Sequence, residues 1–343
     1  MIVRENIALR DYTTFKIGGT ARYFVEATND QDVIDAIAFA REKSVPYFIL
    51  GGGSNTLVSD DGFAGLIILI LLKGIAREDA LDGKTVSLTV SAGEDWDKFV
   101  AHTVENNLWG LENLSGIPGT VGAAPVQNIG AYGTEAKETI ESVRIYDPEM
   151  RTVRDIKNAE CEFGYRTSIW KRAHEYMPVI LSVTFRLSCR AKPNLVYKDI
   201  ALYFERENIT HPSLVHIREA VLEIRAGKFL DMRAVGTAGS FWKNPTVSVT
   251  VLHELESRLP GLPSFPVSDS QVKLSLAWIL DRVCGLKGHA HGRASLYEHQ
   301  PLVLIAFPGC TSFEIESLAA HVSKIVHDKT GVMIEREVFF LRQ

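Results

Sequence analysis

Hydrophobic residues recur along this chain with two spacings, one typical of helices and one typical of strands. From Asn29 to Lys43 they recur every three or four positions, which predicts an amphipathic helix that Asn29 or Asp30 caps. The short apolar runs Tyr47–Leu50 and Leu66–Leu72 each predict a strand. A small unit of strands and one helix is therefore expected at the start of the chain.

The middle of the chain continues this mixed pattern. Alternating residues predict strands at Val86–Val90, Ser142–Tyr146 and Pro178–Leu187, and an apolar face over Asp95–Asn107 predicts a helix. The stretch Arg190–Pro212 is more polar and contains prolines, so we expect a connection there.

Further elements are predicted towards the C-terminus. Gly285 and Gly331 stand where helix C-caps belong. A strand is expected at Leu302–Ala306, and a last strand at Val332–Leu341. The predicted helices are Ser213–Arg225, Val247–Arg258, Leu274–Cys284 and Phe313–Thr330.

Composition narrows the class of protein. The chain has 343 residues, which suggests two or three domains, and a net charge of −5 without a long basic block. We therefore expect neither nucleic acid nor a membrane surface as a partner.

The N-terminus lacks the apolar core of a signal peptide, and the longest apolar run, Leu66–Leu72, is too short to span a bilayer. The four cysteines form no C-x-x-C pair and the histidines no H-E-x-x-H motif, so we expect a cytoplasmic protein with reduced thiols and no metal.

A glycine triplet, Gly51-Gly52-Gly53, follows the predicted strand Tyr47–Leu50 and precedes Ser54 and Asn55. Glycines lack a Cβ, so their backbone N–H groups can approach an anion such as a diphosphate closely. The triplet matches neither G-x-G-x-x-G nor the P-loop motif, which argues against the ordinary dinucleotide and nucleotide-triphosphate sites.

A second glycine-rich stretch runs from Ile117 to Gly133. Its prolines and β-branched residues predict a rigid, turn-rich loop whose backbone can lie against a planar ligand, while Gln127 and Asn128 can supply amide groups. An ordinary structural loop is the alternative. With the triplet upstream, a bound nucleotide-type cofactor is the better interpretation.

Three segments each carry one residue able to act on a substrate. Arg166, beside aromatic residues, can clamp a carboxylate, although a surface arginine is the alternative. Ser240 lies in a sequence that is not G-x-S-x-G, which argues against a hydrolytic nucleophile. A serine in an apolar pocket can still donate a proton to a substrate carbon, provided that a neighbouring group stabilises its alkoxide. In the last predicted strand, alternation places Glu335 and Glu337 on one face and Arg336 on the other. Either both carboxylates are exposed or one points into a cleft.

In this order, the segments resemble the family of UDP-N-acetylenolpyruvoylglucosamine reductases, which are flavoenzymes of the second committed step of bacterial peptidoglycan synthesis. No single segment is specific, but together they extend over nearly the whole chain. The matching segments are Thr14–Gly19, Gly51–Asn55, Ile117–Gly133, Phe163–Arg166, Ala238–Pro245 and Glu335–Val338.

The resemblance implies an α+β fold. A two-subdomain FAD-binding unit of the vanillyl-alcohol oxidase (PCMH) type is followed by a C-terminal α/β substrate-binding domain. The implied boundaries are 1–70 and 71–228 for the two flavin subdomains and 229–331 for the substrate domain. The last strand, in 332–343, is expected to return to the flavin-binding part.

The resemblance also implies roles for individual residues. Ser240 corresponds to the serine that protonates C2 of the enolpyruvyl group, and Arg166 and Glu337 to residues that polarise the substrate carboxylate region and stabilise the enol-like intermediate. The stretch Leu195–Asp199 looks like the insertion of the longer of the two types in this family, whose tyrosine, here Tyr197, folds over the substrate. The other implied contacts are Lys228, Asn244 and Gln300 to the substrate, and Gly51, Gly52, Gly53, Ser54, Asn55, Ile117, Pro118, Gly119, Gly122, Gln127, Asn128, Gly130, Tyr132 and Arg225 to FAD.

The implied reaction uses non-covalent FAD and takes its hydride from NADPH, with both nucleotides occupying one pocket in turn. A sugar or alcohol oxidase on the same flavin fold is one alternative; such oxidases often tether flavin through a histidine in the glycine loop, and none lies between Ala8 and Ala101. A non-catalytic nucleotide-binding protein is another alternative. Phe339 and Ala123-Ala124 stand where the family often has an arginine and serines, which bears on flavin affinity. We expect a monomer, because nothing apolar and exposed demands a dimer.

Overall fold

The computed structural model describes residues 1–81, 83–172, 177–228 and 235–342. Its helices are α1 (Asp30–Glu42), α2 (Trp96–Glu105), α3 (Lys198–Arg206), α4 (Leu214–Lys228), α5 (Val249–Arg258), α6 (Leu276–Trp278) and α7 (Ser312–Thr330). Its strands are β1 (Val3–Ala8), β2 (Thr20–Ala27), β3 (Tyr47–Leu50), β4 (Thr56–Val58), β5 (Phe63–Ile70), β6 (Ile75–Asp79), β7 (Thr85–Ser91), β8 (Gly130–Ala131), β9 (Thr134–Glu135), β10 (Ile140–Asp147), β11 (Thr152–Lys157), β12 (Val179–Ser188), β13 (Gly236–Ser240), β14 (Thr246–Ser248), β15 (Ser264–Pro266), β16 (Gln271–Leu274), β17 (Ala290–His291), β18 (Ala294–Leu296), β19 (Val303–Ala306) and β20 (Phe339–Leu341).

Contacts between residues divide the chain into two compact units. The first unit consists of Met1–Asn6, Arg22–Gly52 and Ala64–Gly227. The second unit consists of Ile7–Ala21, Gly53–Phe63 and Lys228–Gln343. The glycine triplet therefore contributes Gly51 and Gly52 to the first unit and Gly53 to the second.

The first unit contains two principal sheets. One has the strand order β1-β2-β5-β3, with β3 and β5 parallel, and the other has the antiparallel order β11-β10-β12-β7-β6. Helix α1 begins as predicted, because the Asn29 side chain accepts a hydrogen bond from the Asp32 N–H. Helix α2 is held by ring contacts of Trp96 and Phe99 with Phe185, at centroid distances of 5.9 and 5.0 Å.

Helices α3 and α4 form a smaller core of their own within the first unit. Ile200 and Phe204 of α3 pack with Ile217 and Val221 of α4, and Tyr132 joins the same cluster. The prediction of a mere connection over Arg190–Pro212 was therefore wrong. The apolar stripe of α3 is short, and the polar residues around it concealed its spacing of four residues.

The second unit is built from short sheets and α7. The sheets have the orders β13-β19-β18-β17 and β14-β16-β15, and β20 pairs in parallel with β4. Thr311 and Glu314 form a capping box at the start of α7, and Gly331 ends the helix in the left-handed conformation, as predicted. Its core includes Phe241 and Trp242 beside Leu304 and Ile315.

The last predicted strand is shorter than expected. Residues Val332–Val338 have only an isolated bridge, between Trp242 and Arg336, and the strand β20 begins at Phe339. The alternation of buried and exposed residues was present, but a strand also needs a continuous partner, which sequence periodicity does not reveal.

Two predicted helices also begin later than expected. Thr246–Ser248 pairs with β16 instead, and α5 starts after Ser248, whose Oγ accepts from the Val251 N–H. The predicted helix from Leu274 is interrupted, since Ser275 caps the short α6 and Ile279–Val283 forms a π-helical turn. In both regions a short strand is followed directly by a helix, and apolar residues occur in both elements. A single helical periodicity therefore does not reveal where the strand ends.

The described residues contain neither a membrane-spanning helix nor a cluster of metal-binding side chains. No helix there is both long enough and apolar enough to cross a membrane. In the same residues, His, Cys, Asp and Glu side chains form no group of three or more that could hold a metal ion.

Candidate active site

The two glycine-rich loops meet within the first unit. A Cβ placed on Gly52 would lie 2.9 Å from the Cα of Gly119, and one on Gly51 would lie 2.6 Å from Oγ1 of Thr120. Such distances leave no room for a side chain, so Gly52 is required by the close approach of the loops. In the second unit, the Gly53 carbonyl accepts from the Thr14 N–H at 3.1 Å.

Backbone hydrogen bonds hold the loop from Ile117 to Gly133 in place. The N–H groups of Val121 and Gly122 donate to the carbonyls of Glu94 and Ala92, both at 2.9 Å, and the Gly119 carbonyl accepts from Trp96 at 3.1 Å. These bonds fix the backbone between Gly119 and Gly122, which is consistent with the rigid loop that its composition predicts. Ile117 and Pro118 belong to the same loop, and their contact with a flavin stays a prediction.

A tight hairpin lies near the end of this loop. Strands β8 and β9 pair Ala131 with Thr134, and the two residues between them, Tyr132 and Gly133, have φ angles of 48° and 80°. Positive φ at both positions is the signature of a type I′ turn. A non-glycine residue with such a φ is strained, so neighbouring groups must hold Tyr132 there.

The amide of Asn128 is used inside the protein. The residue is 0% exposed, donates through Nδ2 to Glu135 Oε2 and to the Gly164 carbonyl, both at 3.0 Å, and accepts from the Lys137 N–H. Its side chain therefore shapes the loop. The neighbouring Gln127 accepts from Nζ of Lys171 at 3.4 Å.

Arg166 lies on a tight turn beside this loop. Gly164 and Thr167 exchange backbone hydrogen bonds around Tyr165 and Arg166, and Arg166 has a φ of 53°. Its Nη2 donates to the Gly130 carbonyl at 2.7 Å, and its guanidinium carbon lies 5.3 Å from the centre of the Tyr165 ring. Both contacts orient the guanidinium, which is partly exposed, and its role in binding a carboxylate stays a prediction.

Arg225 of α4 provides a second oriented cation. Its Nε donates to the Gly116 carbonyl at 3.1 Å, and burial lowers its pKa while the neighbouring Tyr132 hydroxyl opposes that shift. Burial raises the pKa of Tyr132 to about 12. Since an arginine keeps its charge at any physiological pH, a partly buried guanidinium favours an anionic ligand.

Tyr197 and Lys228, both predicted to contact the substrate, lie at opposite ends of the chain segment that contains α3 and α4. Tyr197 precedes α3, is 41% exposed and packs edge-to-face on Tyr132 with a centroid distance of 5.3 Å. The side chain of Lys228 lies outside the described residues, so its predicted contact with a diphosphate stays a prediction.

Ser240 stands at a β-bulge in the second unit. Strand β13 shifts register against β19 between Thr237 and Ser240, and Gly239 within that shift has a φ of 72°. A bulge with a left-handed glycine bends the strand and redirects the next side chain. This bulge, together with the bond from the Phe241 N–H to the Leu302 carbonyl at 2.7 Å, determines the direction of Ser240.

The backbone of Glu337 is fixed on both sides. Its N–H donates to the carbonyl of Phe241, the residue after Ser240, at 2.8 Å, and its carbonyl accepts from Asn55 Nδ2 at 3.3 Å. The Asn55 carbonyl also accepts from the Phe339 N–H at 3.0 Å. The structure thus brings Ser240 and Glu337 onto adjacent segments. The bond from Asn55 to the C-terminal segment was not foreseen.

The other residues near Glu337 take separate roles. Glu335 is exposed and pairs with Lys243 at 3.1 Å, whereas Glu337 is only partly exposed. Arg336 bonds to Glu316 and lies 5.3 Å from the centre of the Phe241 ring. Of the two carboxylates, Glu337 is therefore the candidate for a cleft.

Three other predicted site residues, Ser54, Asn244 and Gln300, also belong to the second unit. The side chain of Asn244 accepts from the Leu276 N–H at 3.0 Å, and that of Gln300 accepts from the Leu302 N–H at 3.4 Å.

Asn113 and Asn194 were not predicted as site residues. Both donate side-chain hydrogen bonds to backbone carbonyls around the Tyr132 turn. No motif surrounds either residue, so only the folded chain shows their position.

The sequence of the chain matches known protein families in two of its parts. Residues 21–155 match a family described as an FAD binding domain, and residues 231–341 match the C-terminal domain of UDP-N-acetylenolpyruvoylglucosamine reductase. The reductase of that name from Ralstonia nicotianae is 40% identical over 95% of each chain, and that from Chromobacterium violaceum is 38% identical over 98% of each chain.

A solved structure supports the fold. The chain is similar to UDP-N-acetylenolpyruvylglucosamine reductase from Thermus caldophilus, with a TM-score of 0.68, 23% identity and coverage of 99% of this chain and 100% of that one. The predicted α+β fold, with an FAD-binding unit followed by a C-terminal domain, is confirmed. From its similarity to these relatives over nearly their full length, the chain belongs to the family of UDP-N-acetylenolpyruvoylglucosamine reductases.

Proposed function

We propose that this chain reduces UDP-N-acetylglucosamine enolpyruvate to UDP-N-acetylmuramate, with NADPH as the hydride donor and non-covalent FAD as the cofactor. The observation that carries the proposal is identity of 38–40% to reductases of this name over at least 95% of the chain. The match to the C-terminal domain of that reductase, over residues 231–341, includes Ser240 and Glu337.

The residues of the first unit suit a flavin diphosphate. The backbone at Gly52 has no space for a Cβ, the loop from Ile117 is rigid, and the Arg225 guanidinium is oriented and partly buried. Bound there, FAD would take a hydride from NADPH and pass it to the substrate double bond. The rigid loop and the oriented cation supply position and charge without rearrangement.

Three residues are proposed to act on the enolpyruvyl group. Arg166 binds the substrate carboxylate, and its positive charge stabilises the negative charge that develops there when C3 receives the hydride. Ser240 donates the proton that C2 needs, from a side chain whose direction the bulge determines. Glu337 stabilises the enol-like intermediate together with Arg166.

Other residues are proposed to bind the rest of the sugar nucleotide. Lys228 neutralises the diphosphate, Asn244 and Gln300 offer amide groups, and Tyr197 covers the substrate. The exposed fraction of Tyr197, 41%, leaves part of its ring available for such contact.

The biological setting is also part of the proposal. Since UDP-N-acetylmuramate is a peptidoglycan precursor, the enzyme would act in cell-wall synthesis and so support cell shape and division. We propose that it acts in the cytoplasm as a monomer. Sedimentation at micromolar protein concentration tests the monomer, and a concentration-dependent dimer would contradict it.

The reaction is tested by following the two half-reactions of the purified, yellow protein by stopped-flow absorbance. We expect NADPH to bleach the flavin and the enolpyruvyl sugar nucleotide to restore its colour. Ser240→Ala should leave the first half-reaction nearly unchanged and slow the second about 100-fold or more, because it removes the proton donor. Ser257→Ala, which removes a hydroxyl bonded only to its own helix at the Glu254 carbonyl, is the matched control.

Two results would contradict the proposal. A protein that cannot be reconstituted with FAD is not a flavoenzyme. If Ser240→Ala slows both half-reactions equally, Ser240 is structural and another group protonates C2.

A further inference from the structure

The segment that carries Tyr197 is exposed but occupies a defined place. Val196 is 91% exposed and Tyr197 is 41% exposed, whereas Leu195 is partly buried against the cluster of α3 and α4. The contact of Leu195 anchors the start of the segment, and polar interactions add to it.

Asn194 makes several of these interactions. Its Nδ2 donates to the Gly133 carbonyl at 3.0 Å and to Oγ1 of Thr134 at 3.1 Å, and its Oδ1 accepts from the Val196 N–H at 3.3 Å. One side chain thus joins the hairpin turn to the segment and also shapes the start of the segment.

Asn113 joins the same two parts from the buried side. It is 2% exposed, and its Nδ2 donates to the carbonyls of Tyr132 and Asn194, both at 2.9 Å. These bonds hold Tyr132, whose φ of 48° is strained, and fix the backbone of Asn194 beside it. We call Asn113 and Asn194 the amide clamp.

The amide clamp determines where the Tyr197 ring lies. The ring packs edge-to-face on Tyr132 at 5.3 Å, and the Tyr132 hydroxyl interacts with Arg225 of α4. Moving the segment away from the hairpin turn would break this ring contact. Tyr197 therefore keeps its edge-to-face contact with Tyr132, and the rest of its ring stays accessible.

We propose that Asn194 is a positioning residue for substrate binding, acting through Tyr197. Affinity for the sugar nucleotide then depends on Asn194, whereas reduction of the flavin by NADPH does not. The inference rests on the proposed function, in which Tyr197 covers the substrate. It adds to that function the group that holds the cover in place.

The first test compares Asn194→Ala with Asn158→Ala in the FAD-loaded enzyme. Asn158 also donates from one amide to two carbonyls, those of Lys137 and Ile140, which belong neither to the turn nor to the Tyr197 segment. We expect Asn194→Ala to raise the KM for the sugar nucleotide about tenfold and to change the rate of flavin reduction by less than about twofold. Asn158→Ala should change neither. Equal losses in both half-reactions, or an unchanged KM, would overturn the proposal.

A double-mutant cycle tests whether Asn194 acts through Tyr197. If it does, Asn194→Ala adds little to the KM of a Tyr197→Ala enzyme, because the group being positioned is already missing. Independent, multiplicative increases in KM would show that Asn194 has no such role.

A third measurement does not depend on activity. Arg190 precedes the segment, Lys198 lies within it, and both are exposed, so trypsin can report on the mobility of the segment. We expect cleavage there to be several-fold faster in Asn194→Ala than in the wild type or in Asn158→Ala. Unchanged cleavage would show that Asn194 does not hold the segment. If the sugar nucleotide never reoxidises the flavin of the wild-type enzyme, the proposed function is wrong. The cleavage rates still show in that case whether Asn194 holds the segment.

Discussion

The loop Ile117–Gly133 and the segment Asn194–Asp199 lie next to each other but are stabilised differently. The loop is fixed mainly by backbone bonds to the residues just before and at the start of α2 and by its packing against Gly52, with further bonds from the Asn128 side chain. The segment depends on the side-chain amides of Asn113 and Asn194. A scaffold held by backbone bonds tolerates most side-chain changes except at its glycines, whereas a segment held by side chains can be released by one substitution.

The largest effect is expected at the contact between the glycine loops. Gly52→Val introduces a Cβ where only 2.9 Å separates it from the Gly119 Cα, so backbone must move. We expect more than about 3 kcal/mol of destabilisation and loss of bound FAD, measured by thermal unfolding and by the ratio of flavin to protein absorbance. Gly227→Ala is the control, since a Cβ there meets nothing within 4 Å. Normal flavin content in Gly52→Val would show that the loops can separate without consequence.

A smaller effect is expected from the buried half of the amide clamp. Asn113→Ala removes two hydrogen bonds at a position that is 2% exposed and leaves two carbonyls without their donor. We expect a loss of about 2 to 3 kcal/mol in urea unfolding while FAD is retained. Loss of flavin together with stability would mean that the loop depends on Asn113 as strongly as the segment does, which would remove the contrast between the two regions.

A pH dependence is expected from Tyr132, which lies in the loop and contacts Tyr197 of the segment. Its pKa is raised from 10.0 to about 12 by burial, so the unfolded state releases the proton first as the pH rises. Stability should therefore be intact below about pH 10 and fall between about pH 10 and 12, by about 2 kcal/mol from this group. Thermal unfolding of wild type and Tyr132→Phe at pH 9 and pH 11 measures it. The same pH-dependent loss in both proteins would assign it to other groups.

The smallest effect is expected on the exposed side of the segment. Val196 is 91% exposed, so Val196→Ser should change the free energy of unfolding by less than about 0.5 kcal/mol. Urea unfolding measures this value. A larger loss would indicate that burial of the Val196 side chain helps to hold the segment.

Much of the fold could be predicted because local patterns had one dominant cause. Helices α1 and α7 follow from their amphipathic spacing and from caps at Asn29 and Gly331. Where one stretch of sequence serves two elements, the predicted start of the helix was wrong, as at Val247–Arg258 and at Leu274–Cys284.

The predicted site residues divide in the same way. Arg166, Ser240 and Glu337 could be selected because a charged or nucleophilic residue stood in a recognisable segment. Asn113 and Asn194 could not, since an isolated asparagine occurs in most loops and its partners here are backbone carbonyls more than 15 residues away.

The sequence alone determined the family, the cofactor class and the chemical groups of the proposed reaction, because these depend on residue types in a given order. Only the tertiary structure decided how those groups are held: the bulge at Gly239 that directs Ser240, the bonds from Phe241 and Asn55 that fix Glu337, and the amide clamp beneath Tyr197. The physical reason is that the backbone carbonyl is the same in every residue. The sequence therefore does not show which distant carbonyl a side chain will bond to, and only the folded chain brings the two together.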